Sequence, residues 1–254
     1  MVEILSFEGG LNRPFYPRTR VTSGAMRSVS KVLFALGATA ILSIAAPAAN
    51  ASGPGRGVTA DFEKAYLEFI IDHHYSALRM TELAAGTDLQ RDAPVDNAQE
   101  GTAPTPNTNP TPAKATDDQI KSMSRQANRT QREEILKAQR FLRDWYGVNH
   151  TPQLQPQGRQ AIQQLEQTAT GTEFNRTFLQ TFSNHHYRAL FPSLACQVKR
   201  DIDHDELERY CSGIVHSQTN QINDMREMLC KKFSICDFVP TANLGPALRL
   251  INQP

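Results

Sequence analysis

The chain has 254 residues, of which 27 are basic and 26 acidic, so its formal net charge is +1. With no dense basic run, that balance gives no reason to invoke nucleic acid or an anionic membrane surface as a partner. A hydrophobic content of 39% is enough for one well-formed core or two small ones.

From the amino terminus, the first ordered pattern begins at Met26. Arg27 and Lys31 precede the apolar run Val32 to Ala46, and the small residues Ala49 to Ala51 follow it. Positive, apolar and small-residue zones in that order describe a secretory signal cleaved before Ser52. Residues 1–25 read as an upstream extension and 26–51 as the signal peptide. The apolar run is shorter than the roughly 20 residues that span a bilayer, so export to the periplasm or exterior is expected; an uncleaved N-terminal anchor is the alternative.

Two segments then repeat. Asp61 to Leu78 and Glu173 to Leu190 align at an offset of 112, and both carry a His-His pair: His73-His74 and His185-His186. Ile120 to Leu142 and Leu207 to Leu229 align at an offset of 87, keeping Gln131/Gln218, Ile135/Ile222 and Leu142/Leu229. The two offsets differ by 25, the length of the Pro-, Thr- and Asn-rich stretch Asp92 to Thr116. A duplicated unit with an insert in its first copy accounts for this. The insert has almost no large apolar residue and is expected to be a mobile linker.

Each repeated segment has helical periodicity. Phe62, Tyr66, Phe69, His73, Ala77, Met80 and Ala84 fall three or four apart, as do Phe174, Phe178, Phe182, His185 and Ala189. The partner segments carry the stripes Ile120 to Leu142 and Leu207 to Leu229. The expectation is an all-α protein: a first helical hairpin over 61–147, a connector over 148–172 holding a short helix, a second hairpin over 173–231, and a tail over 232–254. The two hairpins would bury their stripes together as an antiparallel four-helix bundle. No strand pattern is visible.

All four cysteines lie in the second repeat or just past its end. Three pairings are possible. Cys196 and Cys211 stand symmetrically about the Arg200 to Asp205 turn, which favours a hairpin staple and leaves Cys230 and Cys236 to close a small loop. Paired structural cysteines fit an oxidising compartment better than a zinc site does.

On the stretches "IIDHHYSALRM", "REEILKAQRFLRDWYG", "GTEFNRTFLQTFSNHHYRAL" and "SQTNQINDMREML" the chain resembles the bacterial domain-of-unknown-function family 305. The resemblance runs from Asp61 to about Leu229. It implies a ferritin-like four-helix bundle, and some family members are exported copper-binding proteins. The chain departs from the family pattern at Ile70 and Phe182, where many members have Met, and in each repeat part of the Met set is missing: Pro192 stands opposite Met80 and Ala138 opposite Met225.

Imidazole and thioether donors suit copper, so the candidate ligands are His73, His74 and Met80 in the first repeat, with Met123 less central. In the second they are His185, His186, Met225 and Met228. Two separate metal clusters, one per repeat, are the expectation. His150, His204 and His216 read as isolated and solvated. No Glu-x-x-His pair for a di-iron bundle, no Cys-x-x-Cys-His, no nucleophile elbow and no phosphate loop occurs, so catalysis is not expected. The rival reading is a metal-free helical bundle serving as an envelope interaction module, with the histidines packed and hydrogen-bonded; a bundle redox protein holding a bound cofactor is a third.

Overall fold

A computed structural model of the chain describes residues 59–89 and 101–242. The expected extension and signal peptide lie outside the described residues. Within them are five helices: α1 (Ala60–Ala85), α2 (Asp118–Tyr146), α3 (Pro156–Gln167), α4 (Thr172–Val198) and α5 (Asp205–Phe233). No strand occurs among the described residues, and the β-type contact there is an isolated bridge between Thr87 and Thr102.

The repeat offsets are offsets between helix ends. α4 starts 112 residues after α1, and α5 both starts and stops 87 residues after α2. The copies also stop by the same device. Gly147 (φ 67°) and Ser234 (φ 58°) are left-handed caps. The next N–H groups, of Val148 and Ile235, reach back to the carbonyls of Leu142 and Leu229. This Schellman closure satisfies carbonyls that the helix end would leave open. Glycine takes that conformation freely, whereas Ser234 does so at a cost of about 1 kcal/mol. At its start, α2 is capped by the Asp117 carboxylate, which accepts from the N–H groups of Gln119 and Ile120.

α1 pairs with α2 and α4 with α5, and the two hairpins meet chiefly through α1 and α4. The short α3 lies against α1 and α4, so the expected four-helix bundle of two repeated hairpins carries a fifth helix. Close seating of α3 depends on Gly158: a Cβ there would stand 2.6 Å from the Ser76 Cβ.

Two apolar clusters fill the bundle. One gathers Phe62, Tyr66, Ile70, Phe141, Leu142, Cys196, Tyr210 and Ile214. The other gathers Met80, Leu83, Ile120, Leu165, Phe174, Phe178, Phe182, Ile222, Met225 and Leu229. At roughly 1.5–3 kcal/mol per large side chain fully buried, these clusters dominate the stabilisation. Between them along α1 and α4 lies a polar stretch.

The described part of the insert is a correction to the mobile-linker expectation: residues 101–116 are folded onto the bundle. The N–H groups of Lys114 and Ala115 donate to the carbonyls of Leu83 and Ala84. Arg132 donates to the carbonyls of Ala103 and Pro104, and Tyr75 Oη to that of Pro106. Arg79 bridges Glu82, Glu166 and the Asn109 carbonyl. Composition measures the apolar area a segment can bury. This segment is held instead by hydrogen bonds to groups that helices α1 and α2 supply. The tail is also docked in its described part, where Arg226 donates to the Phe238 carbonyl and Thr241 N–H to Asn184.

Both expected disulfides are present. Cys196–Cys211 joins α4 to α5 across a separation of 15 residues, and Cys230–Cys236 closes the loop after α5. For the first, the chain-entropy estimate is about 3 kcal/mol. The double variant Cys196→Ser/Cys211→Ser is therefore expected to lose about that much stability in urea denaturation, with helical circular dichroism unchanged at low denaturant.

Candidate metal centre

Adjacent residues on a helix point about 100° apart, so the two histidines of one pair serve different neighbours. In α1, His73 turns toward α4 and His74 toward α2. His73 and its repeat equivalent His185 stack across the α1–α4 contact with ring centroids 3.8 Å apart and planes 20° from parallel. The Nε2 atom of His185 lies 2.9 Å from Ser76 Oγ and 3.1 Å from the carbonyl oxygen of His73. His74 Nε2 sits 2.9 Å from the Glu134 carboxylate on α2. His186 makes the equivalent contact on α5, with the Gln221 side-chain oxygen. Glu134 and Gln221 are 87 residues apart and so occupy matching places in the repeat. Gln131 and Gln218, another matched pair, are buried on the same two helices.

The four imidazoles are between 0% and 5% exposed. Burial, with the neighbouring histidines and Arg188 adding to it, drives the pKa of His73 and of His185 well below the ordinary value. Burial lowers His186 to about 4, against the hydrogen bond that its Nε2–H donates to the Gln221 side-chain oxygen, which pulls the other way. Near neutral pH the rings of His73, His185 and His186 are uncharged, and a neutral imidazole offers a nitrogen lone pair.

Unpartnered buried atoms gather in this layer: Nε2 of His73, Nδ1 of His185, both side-chain polar atoms of Gln131, and Oε1 of Gln218. Both nitrogens of His74 are also without a hydrogen bond, the Glu134 contact being close but not aligned as one. Buried polar atoms are nearly always satisfied in folded proteins, so such a concentration marks a place for water or an ion. The residues present fit a metal that accepts imidazole nitrogen. No three His, Cys, Asp or Glu side chains among the described residues stand in the arrangement of a preformed coordination shell.

Relative to the sequence expectation, the histidines of both repeats form one layer rather than two separate clusters, because α1 and α4 pack with equivalent residues face to face. Met80, Met225 and Met228 are buried in the apolar cluster beside Phe174, Phe178 and Phe182. Met225 Sδ accepts from Ser183 Oγ at 3.6 Å. Met123 is only partly buried at the edge of that cluster.

Two histidines expected to be solvated are pinned. His150 Nε2 lies 2.8 Å from Asp72 Oδ1. His204 stacks on Trp145, with centroids 3.9 Å apart, and its Nδ1 lies 2.8 Å from Glu63 Oε2. Burial alone would raise the Glu63 pKa, but hydrogen bonds from Tyr146, His204, Thr59 and the Asp203 N–H hold it below its ordinary value. The available sequence signal was an acidic residue, Glu63 or Asp72, placed among the apolar positions of α1, since a buried carboxylate requires donors. His216 is exposed and contacts Asn220, as expected.

Residues 108–229 match the model of the family described as Domain of unknown function (DUF305). The resemblance to DUF305 is thereby supported over the end of the insert, all of α2 to α4 and most of α5. Among solved structures, "CopM in the Ag-bound form (by co-crystallization)" is similar at 18% identity and a TM-score of 0.48, over 67% of this chain and 97% of that one. "CopM in the Cu(I)-bound form" is similar at 19% identity and a TM-score of 0.45, over 66% and 94%. "CopM in the Cu(II)-bound form" gives 20% identity and a TM-score of 0.47, over 65% and 93%. No curated protein matches.

The depressed histidine pKa values set a sign for stability against pH. Unfolded histidines take up protons below about 6.5, while in the folded protein His186 does so only near 4 and His73 and His185 are held well below their ordinary value, so the unfolded state binds more protons in between. Stability of the metal-free protein is expected to fall between pH 6.5 and 4, by about 1.4 kcal/mol per pH unit for each such histidine well below pH 6.5. Denaturant midpoints measured across that range check it.

Proposed function

We propose that this protein is exported and binds a metal ion, with copper as the ion held by the histidine layer. The observation that carries the reading is the concentration of deeply buried imidazoles with unpartnered ring nitrogens at the centre of the bundle. Imidazole is a good copper donor, and His73, His185 and His186, held neutral by burial, have no imidazolium proton to give up. His74, with Glu134 beside it, and His186, with Gln221 beside it, are the outer donors; His73 and His185 lie between them. Met80 and Met225 belong to the proposal as thioether donors that would favour copper(I).

Export is supported by the order of charged, apolar and small residues from Met26 to Ala51 and by two disulfides, which persist in oxidising compartments. No helix among the described residues is long and apolar enough to cross a membrane. The role is one of binding, in sequestration or handling of the ion, rather than of catalysis. One observation favours the rival reading, a metal-free interaction module: His185 Nε2 already has Ser76 and the His73 carbonyl as partners.

The deciding experiment is a copper(I) titration against a competing chromophoric chelator, with the wild type beside a variant in which His73, His74, His185 and His186 are all Asn. The variant is expected to lose binding while circular dichroism confirms its helices. Unchanged stoichiometry and affinity would overturn the metal reading and leave the interaction module. A separate Met225→Leu variant conserves volume, so it is expected to cost less than about 1.5 kcal/mol in stability while weakening copper(I) binding.

A further inference from the structure

Between α1, α3 and α4 lies a cavity of about 400 Å³ whose lining includes Glu68, Phe69, Asp72, His73, Pro156 and Arg188. It sits where the repeat symmetry is broken. Ser76 on α1 corresponds, at the offset of 112, to Arg188 on α4. Ser76 satisfies His185 Nε2, whereas the matching atom on the other side, His73 Nε2, is buried without a partner. His73 is 5% exposed, so that nitrogen has no general access to water.

Arg188 is in the same condition. Its Nε is buried and unpartnered, and the side chain makes no ion pair or hydrogen bond among the described residues. Asp72 does not serve as its counter-ion. Both oxygens of that carboxylate are taken, Oδ1 by His150 and the Gln153 N–H and Oδ2 by Gln155.

Arg188 and His73, the latter in the tautomer that carries its proton on Nε2, are thus two donor groups lacking acceptors around one space. Part of its wall, from Phe69 and Pro156, is apolar. We infer that this cavity binds a small organic carboxylate, with the head group taken by Arg188 and His73 Nε2 and a short apolar tail laid against Phe69 and Pro156. A guanidinium offers a carboxylate two parallel N–H donors, which a spherical anion cannot use as well. Glu68, also in the lining and without a partner among the described residues, opposes the anion and limits its affinity.

The inference goes beyond the metal reading and is tested on metal-free protein, so failure of either leaves the other standing. Isothermal titration calorimetry with acetate, butyrate and hexanoate is expected to show affinity rising with chain length, while inorganic phosphate binds more weakly than butyrate. Arg188→Gln is expected to weaken butyrate at least tenfold, and Glu68→Gln to tighten it severalfold. The second variant alters a side chain with no internal partner, so it reports even if Arg188→Gln does not fold. No heat with any carboxylate, phosphate binding more tightly than butyrate, or affinities unmoved by Glu68→Gln would each overturn the inference.

Discussion

The contact of α1 with α4 is the constraint on which the rest depends. A duplicated helical hairpin hides its apolar stripe only by pairing with its copy, and the pairing adopted here sets equivalent residues against each other. Whatever stands at the centre of the stripe therefore meets its own duplicate. In this chain that residue is histidine, and the His73–His185 stack places a polar layer between two apolar clusters. His74 and His186 follow from the same geometry, since each must turn away from the centre and toward the second helix of its own hairpin. Their contacts there, Glu134 and Gln221, are matched in position but not in charge.

Burying this layer is costly unless its groups remain uncharged, and the lowered histidine pKa values record that cost. The same burial that discourages protons keeps nitrogen lone pairs available. A polar layer that is incompletely satisfied inside an otherwise well-packed bundle is a poor device for stability alone. The bundle tolerates it because the clusters on either side, the Cys196–Cys211 bridge and the docked 101–116 segment hold the helices in place independently.

The duplication, the helix boundaries and the cysteine pairing were legible in the sequence because each leaves a local, periodic or symmetric trace: matching offsets, three-four spacing, and two cysteines equidistant from a turn. The union of the two histidine pairs was not legible. Spacing along one helix tells which face a residue occupies but not which helix that face will meet. The anchoring of residues 101–116 was missed because it rests on carbonyls and N–H groups, which every sequence possesses and none advertises. His150 and His204 were missed for a related reason: their partners, Asp72 and Glu63, lie on α1 at a distance in sequence that only the fold closes.

The two copies differ in how hard each is to close into a hairpin. The second is joined by the short segment Lys199 to His204 and stapled by Cys196–Cys211, while the first must close the long segment from Gly86 to Asp117 with no disulfide of its own. Since loop-closure entropy grows as the logarithm of length, the longer connection adds roughly 1.5 kcal/mol to that step. In the oxidised chain the α4–α5 hairpin is thus the half whose ends are already together in the unfolded ensemble, and it is suited to form early as a template. The amino-terminal copy, although it leaves the ribosome first, is the one with the larger entropic cost of closure.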